Sequence, residues 1–176
     1  MKKFALGSLF AAMALGGASG AMAEDGQIDF RGSITATTCA IEIGNNTGGV
    51  AGEVYMGDVQ ASSLPSAGAV AGGGAFTLRP VPDAGCTPDG KRATVTFLPM
   101  TGAVGPSGQW LGIEGSTAQN VAIQFKDANG QEVKMSEPSA DYDFANPIRF
   151  TVNYIATGPA QPGSANGKAA FSVNIR

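Results

Sequence analysis

The chain has 176 residues, with 14 acidic and 11 basic side chains, two cysteines, one tryptophan and no histidine. Without histidine there is no Ser–His or Cys–His couple, no histidine-ligated zinc or haem and no imidazole switch near neutral pH, so most common hydrolytic and metal mechanisms lose a required member. Twenty-six glycines, ten prolines and 14% charged residues beside 43% hydrophobic ones describe a turn-rich chain that can still fill a core, which points to an all-β domain and away from an enzyme.

Met1, Lys2 and Lys3 form a short basic start, Phe4 to Gly20 an uncharged stretch rich in Ala, Leu, Met and Gly, and Ala21-Met22-Ala23 an A-x-A cleavage site. This order predicts a secretory signal peptide over residues 1–23. A membrane anchor is the weaker reading, because Gly7, Ser8, Gly16, Gly17, Ser19 and Gly20 interrupt the apolar stretch. Cleavage after Ala23 leaves 153 residues carrying nine basic and 14 acidic side chains. An acidic chain of this kind is a poor partner for nucleic acid or an anionic membrane. In the oxidising compartment that export implies, Cys39 and Cys86, the two cysteines of the chain, are expected to form one structural disulfide. Closing that loop contributes about 4 kcal/mol in the chain-entropy description.

Period-two alternation then predicts a series of short strands separated by Gly, Pro, Asn and Asp clusters. Gln27 to Ile43 carries Ile28, Phe30, Ile34, Cys39, Ile41 and Ile43 at mostly even spacings. Further strands are expected at Glu53 to Val59, Ala75 to Pro80, Ala93 to Leu98, Asn120 to Lys126, Pro147 to Ala156 and Lys168 to Arg176. Ala61 to Gly74 reads as a small-residue connection, and Asp127-Ala128-Asn129-Gly130 as a hairpin turn. About seven strands without a helical period suit a single sandwich.

Both ends of the exported chain are unusual. Ala169, Phe171, Val173 and Ile175 share one face of a last strand that needs a neighbour. Gly26, Ile28, Phe30, Gly32 and Ile34 alternate with mostly polar residues, the pattern of a strand that lies in a groove.

With these ends in view the sequence resembles the pilins of the chaperone–usher class, and is most similar to the major subunits of type 1 fimbriae. The run Gly26 to Ile34 leading to Cys39 resembles the family's donor extension, and Ala75-Phe76-Thr77-Leu78 before Cys86 its strand ahead of the second cysteine. Leu111-Gly112-Ile113, Ala118 to Phe125 and Asp127 to Gly130 resemble its central segment. Tyr154 to Gly158, Pro162 to Asn166 and Ala170 to Val173 resemble its carboxyl end, with Gly163 where the family keeps a glycine.

The resemblance implies an incomplete immunoglobulin-like sandwich lacking its seventh strand, formed by residues 35–176 and preceded by a donor extension over 24–34. In such a protein Ile28 and Phe30 fill successive pockets of a neighbour's groove, Gly26 the shallow one and Gly32 the one nearest the domain body, while Ile34 leads into the subunit's own fold. Burying Ile28 and Phe30 contributes about 3–6 kcal/mol from apolar transfer. Phe171, Val173 and Ile175 pair with a periplasmic chaperone, whose basic cleft takes the carboxylate of Arg176. At an outer-membrane usher the extension of a neighbouring pilin then replaces the chaperone's strand, so that a homopolymer grows on the cell surface. No cofactor, metal or enzymatic activity is implied. Ile175 stands where the family has an aromatic residue, and Glu24 where it often has an apolar one. A minor or adhesive subunit binding a host glycan or receptor is the alternative, although 153 residues leave no separate binding domain ahead of the pilin domain.

Other candidates have plainer readings. Asp141-Tyr142-Asp143 lacks the spaced oxygen ligands of a cation site and reads as a solvated turn. Trp110 reads as partly buried packing. The acids Asp127, Glu132, Glu137 and Asp141 lie in turn-rich polar segments and read as surface residues rather than a glycosidase pair.

Overall fold

A computed structural model of the chain describes residues 39–45, 52–81, 86–115 and 117–176, all within the compact unit Thr35–Arg176. Ten strands follow in order: β1 (Ala40–Asn45), β2 (Val70–Val81), β3 (Arg92–Pro99), β4 (Ala103–Val104), β5 (Trp110–Leu111), β6 (Gln119–Asp127), β7 (Glu132–Val133), β8 (Tyr142–Asp143), β9 (Ile148–Gln161) and β10 (Ala169–Ile175). The only helical element among the described residues is a 3-10 turn at Ala61–Ser63.

The strands form two antiparallel sheets. The larger has the order β1-β2-β9-β6-β5-β4, with β7 on β6, and the smaller has the order β10-β3-β8. Alternation supplies the core between them. Phe76 and Leu78 from β2, Ile123 and Phe125 from β6, and Ile148, Phe150 and Val152 from β9 face Ala93, Val95 and Phe97 from β3, all buried. Four phenylalanines join at the centre. Phe97 packs edge-on against Phe76, Phe125 and Phe150 at centroid distances of 5.9, 4.9 and 5.0 Å, and Phe76 stacks on Phe150 at 5.4 Å. Such pairs add specificity to area burial because edge-on and offset geometries suit the ring quadrupoles.

The strands at 93–98, 120–126 and 168–176 appear close to where alternation places them, and the one expected over 147–156 runs on to Gln161. Asp127 to Gly130 turns as expected: Gly130 has φ 77°, and Asp127 Oδ1 accepts from Asn129 N–H and Gln131 N–H at 2.9 and 2.8 Å. The expected strand at Glu53 to Val59 is not a strand. Gly57 sits at φ 78°, and the backbone bond to this stretch is a single Gly73 N–H to Met56 O at 3.1 Å. Instead the segment lies across Gly72-Gly73-Gly74, where β2 bulges. A Cβ at Gly74 would stand 2.8 Å from Tyr55 O, so the glycines admit this close approach. For the same reason β2 begins at Val70, inside the stretch that composition marks as a connection.

Cys39 and Cys86 are joined as expected, with Cα atoms 4.8 Å apart. Ala40 pairs with Val81, so the bridge closes the end of the β1–β2 pair beyond the last ladder contact. Asp143 caps its own turn, accepting from Ala145 N–H at 3.0 Å and Asn146 Nδ2 at 2.9 Å. Trp110 is half-buried, donates from Nε1 to Glu132 at 2.8 Å and lies against Gly105, in line with packing.

Candidate functional site: the free edge of the last strand

β10 pairs with β3 in one antiparallel register running from Ala169 opposite Pro99 to Ile175 opposite Ala93. Beyond it, Arg92 and Arg176 exchange both backbone hydrogen bonds at 2.9 Å, and at the other end Met100 N–H donates to Lys168 O at 2.9 Å. Bonded and non-bonded pairs alternate along an antiparallel ladder. The even-numbered residues therefore direct their backbone groups at β3, and Ala169, Phe171, Val173 and Ile175 turn theirs away from it. Among the described residues no strand lies on that side, because β10 is the outermost strand of its sheet. An immunoglobulin-type sandwich has a further strand there.

The same four residues are half-buried and pack on the core, whereas Ala170, Ser172 and Asn174 are exposed. One row of residues thus presents both unpaired backbone and incompletely covered apolar side chains. Beside it opens a groove of about 1940 Å³, lined by 52–61, 160–169 and Phe171 and bottomed by core residues that include Phe76, Phe97, Phe125 and Val152. A groove of this kind can take an extended apolar segment; among the described residues no group of three or more Asp, Glu or Cys could hold a metal ion.

Residues 162–168 strap one end of the groove. Ser164 N–H donates to Thr117 Oγ1 at 3.0 Å, and Ser164 O accepts from Ala118 N–H at 3.1 Å. Glu114 N–H donates to Asn166 O at 2.9 Å, and Lys168 N–H donates to Thr101 Oγ1 at 3.1 Å. Gly163 lies in this strap rather than in β10. A Cβ there would collide with Ala118 N and the Thr117 carbonyl carbon, both backbone atoms that cannot swing aside. We expect Gly163→Val to lower the stability of the assembled subunit by about 1–3 kcal/mol, the usual effect of overpacking. The check is the denaturation midpoint, which an unstrained position would leave unchanged. Tyr154, on the groove side of β9, donates its hydroxyl to Ala165 O at 2.9 Å. Burial, with Asp58 and Tyr55 nearby, raises its pKa above the ordinary phenol value and keeps the donor proton in place.

The far end of β10 is held by charge. Arg176 Nη2 lies 3.2 Å from Asp141 Oδ1, Arg92 Nε 3.4 Å from Oδ2, and Arg92 Nη2 donates to Asp141 O at 2.7 Å. Partial desolvation acts to raise the Asp141 pKa, but hydrogen bonds and charge from Arg176 and Arg92 prevail and lower it. Exposed pairs contribute little to stability. Here they align the last residue with β3.

Sequence reasoning thus finds Phe171, Val173, Ile175 and Arg176 along one edge and Gly163 at its head. The expected donor residues Gly26, Ile28, Phe30, Gly32 and Ile34 lie outside the described residues. Sequence reasoning missed the groove wall at 52–61 and the hydrogen bond from Tyr154 to Ala165 in the strap. Three consecutive glycines at 72–74 were the available signal for the wall, since they mark a place where another backbone comes close.

Comparison with known proteins agrees with this geometry. A family model described as fimbrial protein matches residues 28–176. A type 1 fimbrial subunit of Klebsiella pneumoniae is 32% identical over 160 residues, covering 86% of this chain and 84% of that one. The A chain of a type-1 fimbrial protein of Escherichia coli is 30% identical over 177 residues, covering 96% and 92%. In fold, the chain is similar to a subunit of a chaperone–usher pilus, with a TM-score of 0.56 at 16% identity over 86% of this chain and 96% of that one. It is also similar to the P pilus rod subunit PapA, with a TM-score of 0.53 at 15% identity, covering 85% and 100%. With a family match over nearly the whole chain and relatives at about 30% identity across most of its length, the chain belongs to the fimbrial protein family.

Proposed function

We propose that this structural subunit of a surface fimbria polymerises by donor-strand exchange, with residues 24–34 of one copy lying along the free edge of β10 in the next. The observation that carries the reading is the coincidence, on Ala169, Phe171, Val173 and Ile175, of unpaired backbone and half-covered core side chains, with Ala169 and Phe171 lining an open groove. An edge in that state is a template for strand addition and, left bare, for aggregation. A periodic donor whose Ile28 and Phe30 point one way supplies what the edge lacks: ladder partners and apolar side chains. A periplasmic chaperone holds the edge first, and exchange for the neighbour's extension takes place at the outer-membrane usher. Donor and acceptor occupy different places on the subunit, so the contact is heterologous and propagates into a fibre.

The test is the exported chain without residues 24–35, produced with no helper. It should aggregate or lack a cooperative melt, and a synthetic peptide of residues 24–36 added during refolding should restore a monomer with one sharp transition. A soluble, cooperatively melting monomer without the peptide would overturn the reading.

A further inference from the structure

The alternation that defines the free edge does not begin at β10. Ala165, Gly167, Ala169, Phe171, Val173 and Ile175 are all half-buried, and the even-numbered residues between them are exposed. The backbone alternates with them: Ser164, Asn166 and Lys168 bond to Thr117, Ala118, Glu114, Met100 and Thr101 on the domain side. The odd-numbered backbone groups therefore continue the open edge toward the N-terminus, past the last β3 partner. At Ala165 the edge changes. Its carbonyl accepts the Tyr154 hydroxyl at 2.9 Å. The strap cannot shift easily, because a Cβ at Gly167 would already meet Ile123 Cδ1 at 2.9 Å and Gly112 O at 3.1 Å.

We propose that Tyr154 is the end stop of the acceptor groove: by occupying the Ala165 carbonyl it ends the intersubunit ladder at Gly167 and so sets the register of the incoming strand. The inference rests on the donor-strand reading above. A strand whose side chains alternate between groove and solvent cannot slip by one residue, because every side chain would change face. A slip by two residues keeps the faces and is opposed only by pocket fit and by what the ladder gains or loses. With Ala165 O open, a strand displaced toward the strap gains an acceptor. With Tyr154 in place the hydroxyl stands 2.9 Å from Ala165 O on the groove side, where that strand's N–H would have to approach, so the N–H is buried with its acceptor screened, a state disfavoured in a closed groove. Tyr154 is a positioning residue, acting on the incoming strand through Ala165.

Residue-resolved amide hydrogen exchange on fibres assembled from the full exported chain tests this. In wild-type fibres the amides of Gly167, Ala169, Phe171, Val173 and Ile175 should be protected, while Ala165 exchanges at least tenfold faster than Gly167. In fibres of Tyr154→Phe, which keeps the ring and loses the hydroxyl, Ala165 should slow at least tenfold. An Ala165 amide as protected as Gly167 in wild type, or an unchanged Ala165 rate in the variant, overturns the end stop while leaving strand donation intact. Fibres in which none of the amides of Ala169, Phe171, Val173 and Ile175 is protected would overturn strand donation, and the end stop with it. The wild-type profile decides even if the variant fails to assemble.

Discussion

Phe30→Asp should give a subunit that is captured by its chaperone but does not join its neighbour. In the donor assignment Phe30 enters the groove of the next subunit, whose floor is made of residues such as Phe97 and Phe125. Removing the ring forfeits about 1.5–3 kcal/mol of apolar transfer. Placing a carboxylate in its stead adds several kcal/mol of desolvation, because Lys168, the cation among the described lining residues, lies in the strap and not on the core-facing floor. The two effects act in the same direction, so the joint weakens by several orders of magnitude. In the proposed pathway the chaperone takes β10 and not the extension, so the periplasmic complex should accumulate as in wild type. Electron microscopy of the cells, with mass measurement of sheared fibres, is the check. Fibres of normal length and yield would count against Phe30 as a donor residue.

Phe97→Ala is expected to be the most damaging single change in the domain itself. The ring is 2% exposed and touches Phe76, Phe125 and Phe150, so its loss leaves a hole bounded by three aromatic rings held on other strands. Such truncations destabilise by about 3–5 kcal/mol. Against a total of about 5–15 kcal/mol for a typical domain, that is a large share. The exported subunit should fall in yield, and the denaturation midpoint of its complemented form should drop sharply. Leu98→Ala, one residue along on the outer face where Leu98 is 47% exposed, should change stability by only about 0.5 kcal/mol. Equal effects of the two substitutions would contradict the packing described here.

The contrast between Phe97 and Leu98 also marks what can be read from the chain alone. Alternation over 93–98 already says that the two residues face opposite ways, because a strand's geometry is local and its period is two. The same holds for β6 and β10, whose expected and observed spans nearly coincide, and for the first part of β9, which runs on to Gln161 beyond its expected end at Ala156. Composition and the signal-like start bear on compartment, and with it on the pairing of Cys39 with Cys86. The repeated pattern at 26–34 and 169–175 is likewise visible, as a shared need for a neighbour on the part of two strands far apart in sequence.

Where local signals conflict with packing, the sequence misleads. Glu53 to Val59 alternates like a strand, yet it crosses the bulge at Gly72–Gly74 with one backbone bond, because Gly57 turns it and the glycines let it come close. The short strands β5, β7 and β8 pair with the longer β6 and β3, and β4 pairs with β5; two-residue segments carry no period to detect.

From its amino acids alone, this protein is an exported, turn-rich β chain with one disulfide pair and two periodic ends. Only the folded arrangement decides that β10 is an outermost strand, that its apolar side chains and open backbone share one row, and that the Tyr154 hydroxyl meets Ala165 O at the end of that row. The reason is physical: side-chain period follows from the backbone of each strand by itself, whereas an edge is defined by which strands are absent beside it, and that depends on how the whole sheet assembles.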